Sequence, residues 1–249
     1  MFELPGGASG HHLTDPNDKG ARMRRIILFD IDGTLLWGGP AKHAFVDAMR
    51  ETYGTPGDFE RVSFAGKTDP QIARELLAGV GVAHEKIDQG MQDLWDRYLA
   101  YLEARLPESP VTVLPGVPEL LDALSAFEDV GVGLLTGNIA GGARLKLASG
   151  GLWGRFSFGS YGSDHEERDE LPAIAVDRAR GLWGDVVSAE SAIVVGDTPR
   201  DVACGKAGGT RTLAVATGTF SVTDLRTSDP DHILEDLSDT DRVVELLVN

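Results

Sequence analysis

The stretch Ile26-Ile27-Leu28-Phe29-Asp30-Ile31-Asp32-Gly33-Thr34-Leu35-Leu36 decides the fold. Four consecutive apolar residues, Ile26 to Phe29, predict a strand buried on both faces. Asp30 falls where that strand ends, and Asp32 follows two residues on. In open α/β sheets, chemistry gathers outside the carboxyl ends of the strands. Gly33 lets the chain turn sharply there. An Asp-x-Asp pair alone also reads as an acidic turn closed by an Asx-type bond. The longer string, set after a strand, points to function.

Outward from this stretch, the 249 residues are 42% hydrophobic and 25% charged, which suits one large domain or a domain plus a smaller one. The net charge of −16 argues against a nucleic-acid partner, since no basic face is available to neutralise phosphates. An acidic enzyme still binds a phosphate ester if a metal ion and a few donors invert the local field. Cys204 is the sole cysteine, so no internal disulfide forms, which fits a reducing, cytoplasmic setting. No apolar run approaches the ~18 residues that span a membrane, and no membrane partner is expected. Oligomeric state is not readable. Residues 1–22 are rich in Gly, Asp and Pro without periodicity, and read as a disordered extension, with Met23 a natural start. His11 and His12 lie in that tail.

Three helical stripes follow the opening stretch. Ala41, Ala44, Phe45, Ala48 and Met49 form the first, within Pro40 to Tyr53. Thr68 caps the second, with Pro70 in its first turn, an apolar face of Ile72, Ala73, Leu76 and Leu77, and Gly79 as its stop. Met91, Leu94, Trp95, Tyr98, Leu102 and Leu106 form the third. Residues 38–112 thus read as a helical block without a clear strand, inserted into a core made of 23–37 and 113–249. In the core, helices are predicted at 117–127, 140–148, 171–180 and 239–247, with another running from the 196–201 segment through Ala207. Strands are predicted at 132–135, 156–158, 191–195, 212–215 and 232–234. This alternation predicts an α/β fold, a Rossmann-like parallel sheet with helices on both faces.

Three of these strands end in polar groups: Asp30 and Asp32, Thr136, and Asp197 with Asp201. Parallel strands bring their ends to one edge, so four carboxylates and a hydroxyl converge there. Carboxylates so crowded repel one another unless a cation is bound. An oxygen-only set without histidine or cysteine favours Mg²⁺. The set predicts metal-assisted phosphoryl chemistry with a carboxylate nucleophile.

Asp30-Ile-Asp-Gly-Thr-Leu-Leu36 resembles the first motif of the haloacid dehalogenase-like hydrolase superfamily. Thr136 after its apolar strand resembles the second, and Val194-Val-Gly-Asp-Thr-Pro-Arg-Asp-Val-Ala203 the fourth. The helical block resembles the family's small cap. The overall look is similar to phosphoglycolate phosphatase-like members, across about residues 23–249. The resemblance implies that Asp30 is the nucleophile that forms an aspartyl-phosphate. It implies that Asp32 is the general acid and then the base, and also gives its carbonyl to Mg²⁺ beside Asp30 and Asp197. Asp201 supports the metal. Thr136 and backbone groups near it hold the phosphoryl oxygens, and Gly33, Thr34, Gly137 and Asn138 are the implied substrate contacts.

The family's third motif is usually a lysine. Here the loop reads Asp164-His-Glu-Glu-Arg-Asp-Glu-Leu-Pro172, and Arg168 is the cation before the helix. A guanidinium binds phosphoryl oxygens bidentately, which makes Arg168 the candidate replacement. The competing reading is a solvated loop charge. Lys146, on the helix after Thr136, is the rival cation, although its place on that helix reads more as a surface position. Lys67, in Ala65-Gly-Lys-Thr-Asp69, reads as a surface or helix-leading lysine and a candidate substrate contact; Cys204 reads as a packing residue, and His43 and His165 as minor candidates for substrate contact.

The leading expectation is a Mg²⁺-dependent phosphatase of a small phosphorylated metabolite, with phosphoglycolate first to try. A phosphomutase would use the same Asp30/Asp32 pair, and a phosphonoacetaldehyde hydrolase would use Lys67 for a Schiff base. A reading from another class is a catalytically weak phosphate-binding or receiver-like protein.

Overall fold

The computed structural model describes residues 25–59 and 62–249. The predicted extension at 1–22, with His11, His12 and Met23, lies outside them.

The chain opens with β1 (Arg25–Phe29) and a short β2 (Leu36–Gly38). Helices α1 (Ala41–Tyr53), α2 (Asp69–Gly79) and α3 (His84–Arg105) follow, then β3 (Val111–Val113). From there helices and strands alternate: α4 (Val117–Ser125), β4 (Val130–Thr136), α5 (Ala140–Ser149), β5 (Phe158–Tyr161), α6 (Leu171–Trp183) and β6 (Ala192–Gly196). The chain closes with α7 (Pro199–Ala207), β7 (Arg211–Val215), α8 (Val222–Arg226), β8 (His232–Leu234) and α9 (Thr240–Val248).

Among the described residues, six strands form one parallel sheet in the order β5-β4-β1-β6-β7-β8. This is the α/β, Rossmann-like sheet expected from the alternation. β1 is central, and its side chains divide between the two faces. Ile27 and Phe29 pack with α4, α5 and α9 residues such as Leu120, Leu147 and Leu247. Ile26 and Leu28 pack on the opposite face with Leu171, Ala175 and Ala179 of α6 and Cys204 of α7. Phe29 lies level with Leu134 of β4 and Val195 of β6, so Asp30, Thr136 and Asp197 emerge together at one edge.

The inserted helices have a core of their own. Phe45 and Met49 of α1, Ile72, Leu76 and Leu77 of α2, and Leu94, Tyr98 and Leu102 of α3 are buried against one another. The Thr68 hydroxyl accepts from the Gln71 N–H at 3.3 Å and starts α2 as the sequence suggested.

Two expectations need correction, and one helix proves longer than its stripe. The block 38–112 is not free of strand: β2 and β3 pair antiparallel, Leu36 with Val113, Trp37 with Thr112, and Gly38 with Val111. The strand expected at 156–158 begins at Phe158 and continues through Gly159 and Ser160. Phe156 instead turns its ring edge to Phe29, with centroids 6.5 Å apart. The third helix begins at His84, two turns before its apolar stripe, with Ile87 its buried residue there. No helix among the described residues is long and apolar enough to cross a membrane.

Candidate active site

Asp30 leaves β1 with its N–H donating to the Val195 carbonyl at 2.9 Å, which fixes its side chain between β4 and β6. One oxygen each from Asp30, Asp197 and Asp201 lies within 4.8 Å of the others, and all three residues are buried. Gly33, at φ +86°, makes this approach feasible: a Cβ there would stand 2.3 Å from Asp197 Oδ2. Thr34, fully buried, holds Asp197 Oδ1 at 3.4 Å. Asp201 lies in the first turn of α7, where its Oδ2 accepts from the Thr198 N–H at 2.9 Å and the Thr198 hydroxyl at 2.7 Å.

Arg168 sits in a short 3-10 turn ahead of α6, and its exposure is only 5%. Its Nη2 donates to Asp201 Oδ1 and lies 3.3 Å from Asp30 Oδ1. Arg168 is therefore not a solvated loop charge. Its buried Nε–H has no acceptor, so the guanidinium keeps a free donor.

Lys146 departs from expectation. It is 5% exposed, not a surface residue. Its ammonium donates to Asp32 Oδ1 at 2.9 Å, to Asp32 Oδ2 at 2.7 Å and to Asn138 Oδ1 at 2.6 Å. Asn138 in turn donates to Asp32 Oδ2 at 2.7 Å and to the Thr136 hydroxyl at 2.9 Å. Thr136 Oγ1 accepts in that bond, so its own O–H remains to donate.

The electrostatics divide the two acids. Burial raises the Asp30 carboxyl; Arg168 pulls it back, Asp201 and Asp32 push it up again, and it stands at about 7. Burial, then Asp201 and Asp30, push Asp197 up to about 9. Desolvation raises Asp32 too, although its side chain is half-exposed to the chamber, but the Lys146 charge and the bonds from Lys146 and Asn138 outweigh it, and Asp32 stays below the usual value. Burial disfavours the Arg168 cation, yet Asp201 and Asp30 more than compensate and its pKa is raised. Three crowded carboxylates, of which Asp30 and Asp197 have raised pKa values, form a hard oxygen donor set that suits a divalent cation.

A chamber of about 580 Å³ opens above these groups. Asp30, Asp32, Gly33, Thr136, Asn138 and Arg168 are among the groups on its core side. The loop before α2 forms part of its roof. The Asp69 N–H donates to the Gly137 carbonyl at 2.7 Å, and Asp69 Oδ2 accepts from the Ile139 N–H at 2.8 Å. The Thr68 hydroxyl donates to the Glu166 carbonyl at 2.6 Å, and Arg74 Nε donates to Glu166 Oε2 at 2.6 Å. Burial raises Asp69 to about 6, against the pull of Lys146 and the Ile139 N–H. Lys67 lines the chamber with its ammonium on Glu75. Thr34, His43 and His165 do not line it; His43 and His165 are exposed, and His165 Nδ1 accepts from the Glu167 N–H. Gly33 also spends its N–H on the Leu36 carbonyl. Cys204 is buried and donates to the Arg168 carbonyl.

A family model described as HAD-hydrolase-like matches residues 172–240. The chain is 32% identical over 187 residues to a phosphoglycolate phosphatase of Cereibacter sphaeroides, covering 74% of this chain and 82% of that one. It is 31% identical over 204 residues to a phosphoglycolate phosphatase of Rhodospirillum rubrum, covering 79% and 81%. A solved hydrolase from Pseudomonas syringae shares the fold, with a TM-score of 0.63, 18% identity, and coverage of 90% and 99%.

Proposed function

The chain belongs to the haloacid dehalogenase-like hydrolase superfamily, in its phosphoglycolate phosphatase-like branch, and is a phosphoric monoester hydrolase; on that footing we propose a Mg²⁺-dependent phosphatase that works through an aspartyl-phosphate on Asp30. The observation that carries this reading is the convergence of two acids with opposite surroundings. Asp30 lies among carboxylates with Arg168 beside it, and Asp32 lies on Lys146 and Asn138.

In the first step an Asp30 oxygen attacks phosphorus and the ester P–O bond breaks. Asp32, a carboxylate on Lys146 and Asn138 before substrate arrives, takes up the proton that the phosphate monoester brings as its monoanion and delivers it to the departing alcohol oxygen. In the second step Asp32, now a carboxylate, takes a proton from water as the water oxygen attacks phosphorus. The Asp30–phosphorus bond breaks, and Asp30 and inorganic phosphate are released. The Thr136 O–H is a donor for the phosphoryl oxygens, and the Arg168 guanidinium, which lines the chamber beside Asp30, is the cation for them. Asp30 and Asp197, with Asp201 and the Asp32 carbonyl, would hold Mg²⁺, which supplies neutralising charge for the transferring phosphoryl group. Asp30 needs such a cation to be fully ionised at neutral pH, given its pKa of about 7.

Residues 38–112 act as the cap in this reading, closing over the chamber and excluding bulk water. Phosphoglycolate, named for the relatives, is the reference substrate. The test is phosphate release from small phosphoesters with and without Mg²⁺. Wild type is expected to require the metal, and Asp30→Asn to lose activity by at least ~10³-fold. Wild-type turnover by Asp30→Asn would remove the nucleophile assignment.

A further inference from the structure

The chamber volume of about 580 Å³ lies within the ~300–1,000 Å³ of pockets that enclose drug-sized ligands. A two-carbon acid leaves much of it unfilled. The upper wall is aromatic: Phe64 is half-buried there, and Phe45 and Tyr98, only 3% and 2% exposed, back it. Phe45 meets Phe64 edge to face at 6.2 Å and 75°, and meets Tyr98 at 5.5 Å and 84°. Ile72 adds an aliphatic patch, and Trp37 stands at the chamber's edge with 48% of its surface exposed. The cap brings two cations to the chamber. Lys67 is committed to Glu75, and Lys42 rests its ammonium 5.2 Å from the Phe64 ring centroid. A carboxylate next to the phosphate would therefore meet an aromatic wall, with Lys67 already paired to Glu75 and Lys42 resting on the Phe59 and Phe64 rings. A flat ring would instead extend the edge-to-face cluster, the arrangement aromatic quadrupoles favour.

Resting on the phosphatase reading above, we infer that the preferred substrate is a phosphate monoester whose alcohol carries an aromatic or heteroaromatic ring, seated against Phe64, which Phe45 backs, with its phosphate at Asp30. The juxtaposition of an aromatic upper chamber with a phosphoryl-transfer floor is what points to it.

The test uses the full chain with Mg²⁺ and five probes: acetyl phosphate, 2-phosphoglycolate, pyridoxal 5′-phosphate, uridine 5′-monophosphate and flavin mononucleotide. At least one ring-bearing ester is expected to show a kcat/KM about tenfold or more above that of phosphoglycolate. Phe64→Ala and the bulkier Phe64→Leu are each expected to reduce that ratio severalfold, to about tenfold. Calorimetry on Asp30→Asn, which reads binding without turnover, is expected to show the same ring-bearing ester binding more tightly than phosphoglycolate. If phosphoglycolate equals or exceeds every ring-bearing ester, the ring inference is overturned and the phosphatase reading stands. If no probe releases phosphate, acetyl phosphate included, the phosphatase reading fails and the inference fails with it.

Discussion

Lys146 brings a buried ammonium to three acceptor contacts on Asp32 and Asn138. Removing it takes away the charge that outweighs the desolvation of the half-exposed Asp32, so its pKa rises. Lys146→Met is expected to lower kcat by roughly 10- to 100-fold and to move the acid limb of the pH–rate profile upward, with partial recovery in Lys146→Arg. A pH profile identical to wild type would count against a role at Asp32. The sequence offered Lys146 only as a rival to Arg168 and placed it at the surface, for a physical reason. Helix α5 packs Ala143 and Leu147 on the sheet core and Leu145 against the inserted helices. A helix covered on two sides carries no clean stripe, so its one inward charge resembles an outward one. Asp30, Asp32, Thr136 and Asp197 were legible because each follows an apolar strand, where the polar residue has only the sheet edge to occupy. Arg168 was legible only as a cation ahead of a helix; its contact with Asp201 is set by tertiary packing.

At the scale of elements, closure depends on how near the loop before α2 comes to the turn after β4. A Cβ on Gly137 would stand 2.0 Å from the Lys67 carbonyl oxygen. Gly137→Ala is therefore expected to prop this loop away and cut kcat/KM by about 10- to 100-fold, since misplacement by ~1 Å has that effect on oriented groups. Its Tm should shift by no more than ~4 °C, which circular dichroism melts would check. A large loss of Tm with unchanged kcat/KM would show Gly137 to matter for folding alone. Elements with long buried stripes, such as α1 and α2, were readable from period alone. The three-residue strands β2 and β3 were not, because three residues cannot display a period and their partner lies across the whole insertion. β5 was displaced because Gly159 and Ser160 pair with β4 while carrying no apolar signal.

For the whole molecule, Asp69 links stability to pH at the seam between insertion and core. Its carboxyl is raised from 3.8 to about 6 on folding. Below pH 3.8 both folded and unfolded chains keep the proton. As pH rises the unfolded chain releases it first, so this group lowers stability until about pH 6, above which its contribution is constant. Asp69→Asn keeps an oxygen for the Ile139 N–H and cannot ionise. Its Tm advantage over wild type should grow from near zero at pH 4 to ~6–12 °C at pH 7, measured by scanning calorimetry at constant ionic strength. An equal difference at both pH values would place the effect elsewhere. The seam has a second property, which belongs to inheritance. β2 and β3 pair Gly38 with Val111, so the chain departs from the sheet and returns to it side by side. A cassette whose ends are neighbours can be exchanged, lengthened or removed by recombination without rethreading a single strand of the sheet. The ribbon thus lets descendants of one catalytic edge acquire new selectivity by swapping what lies beyond it.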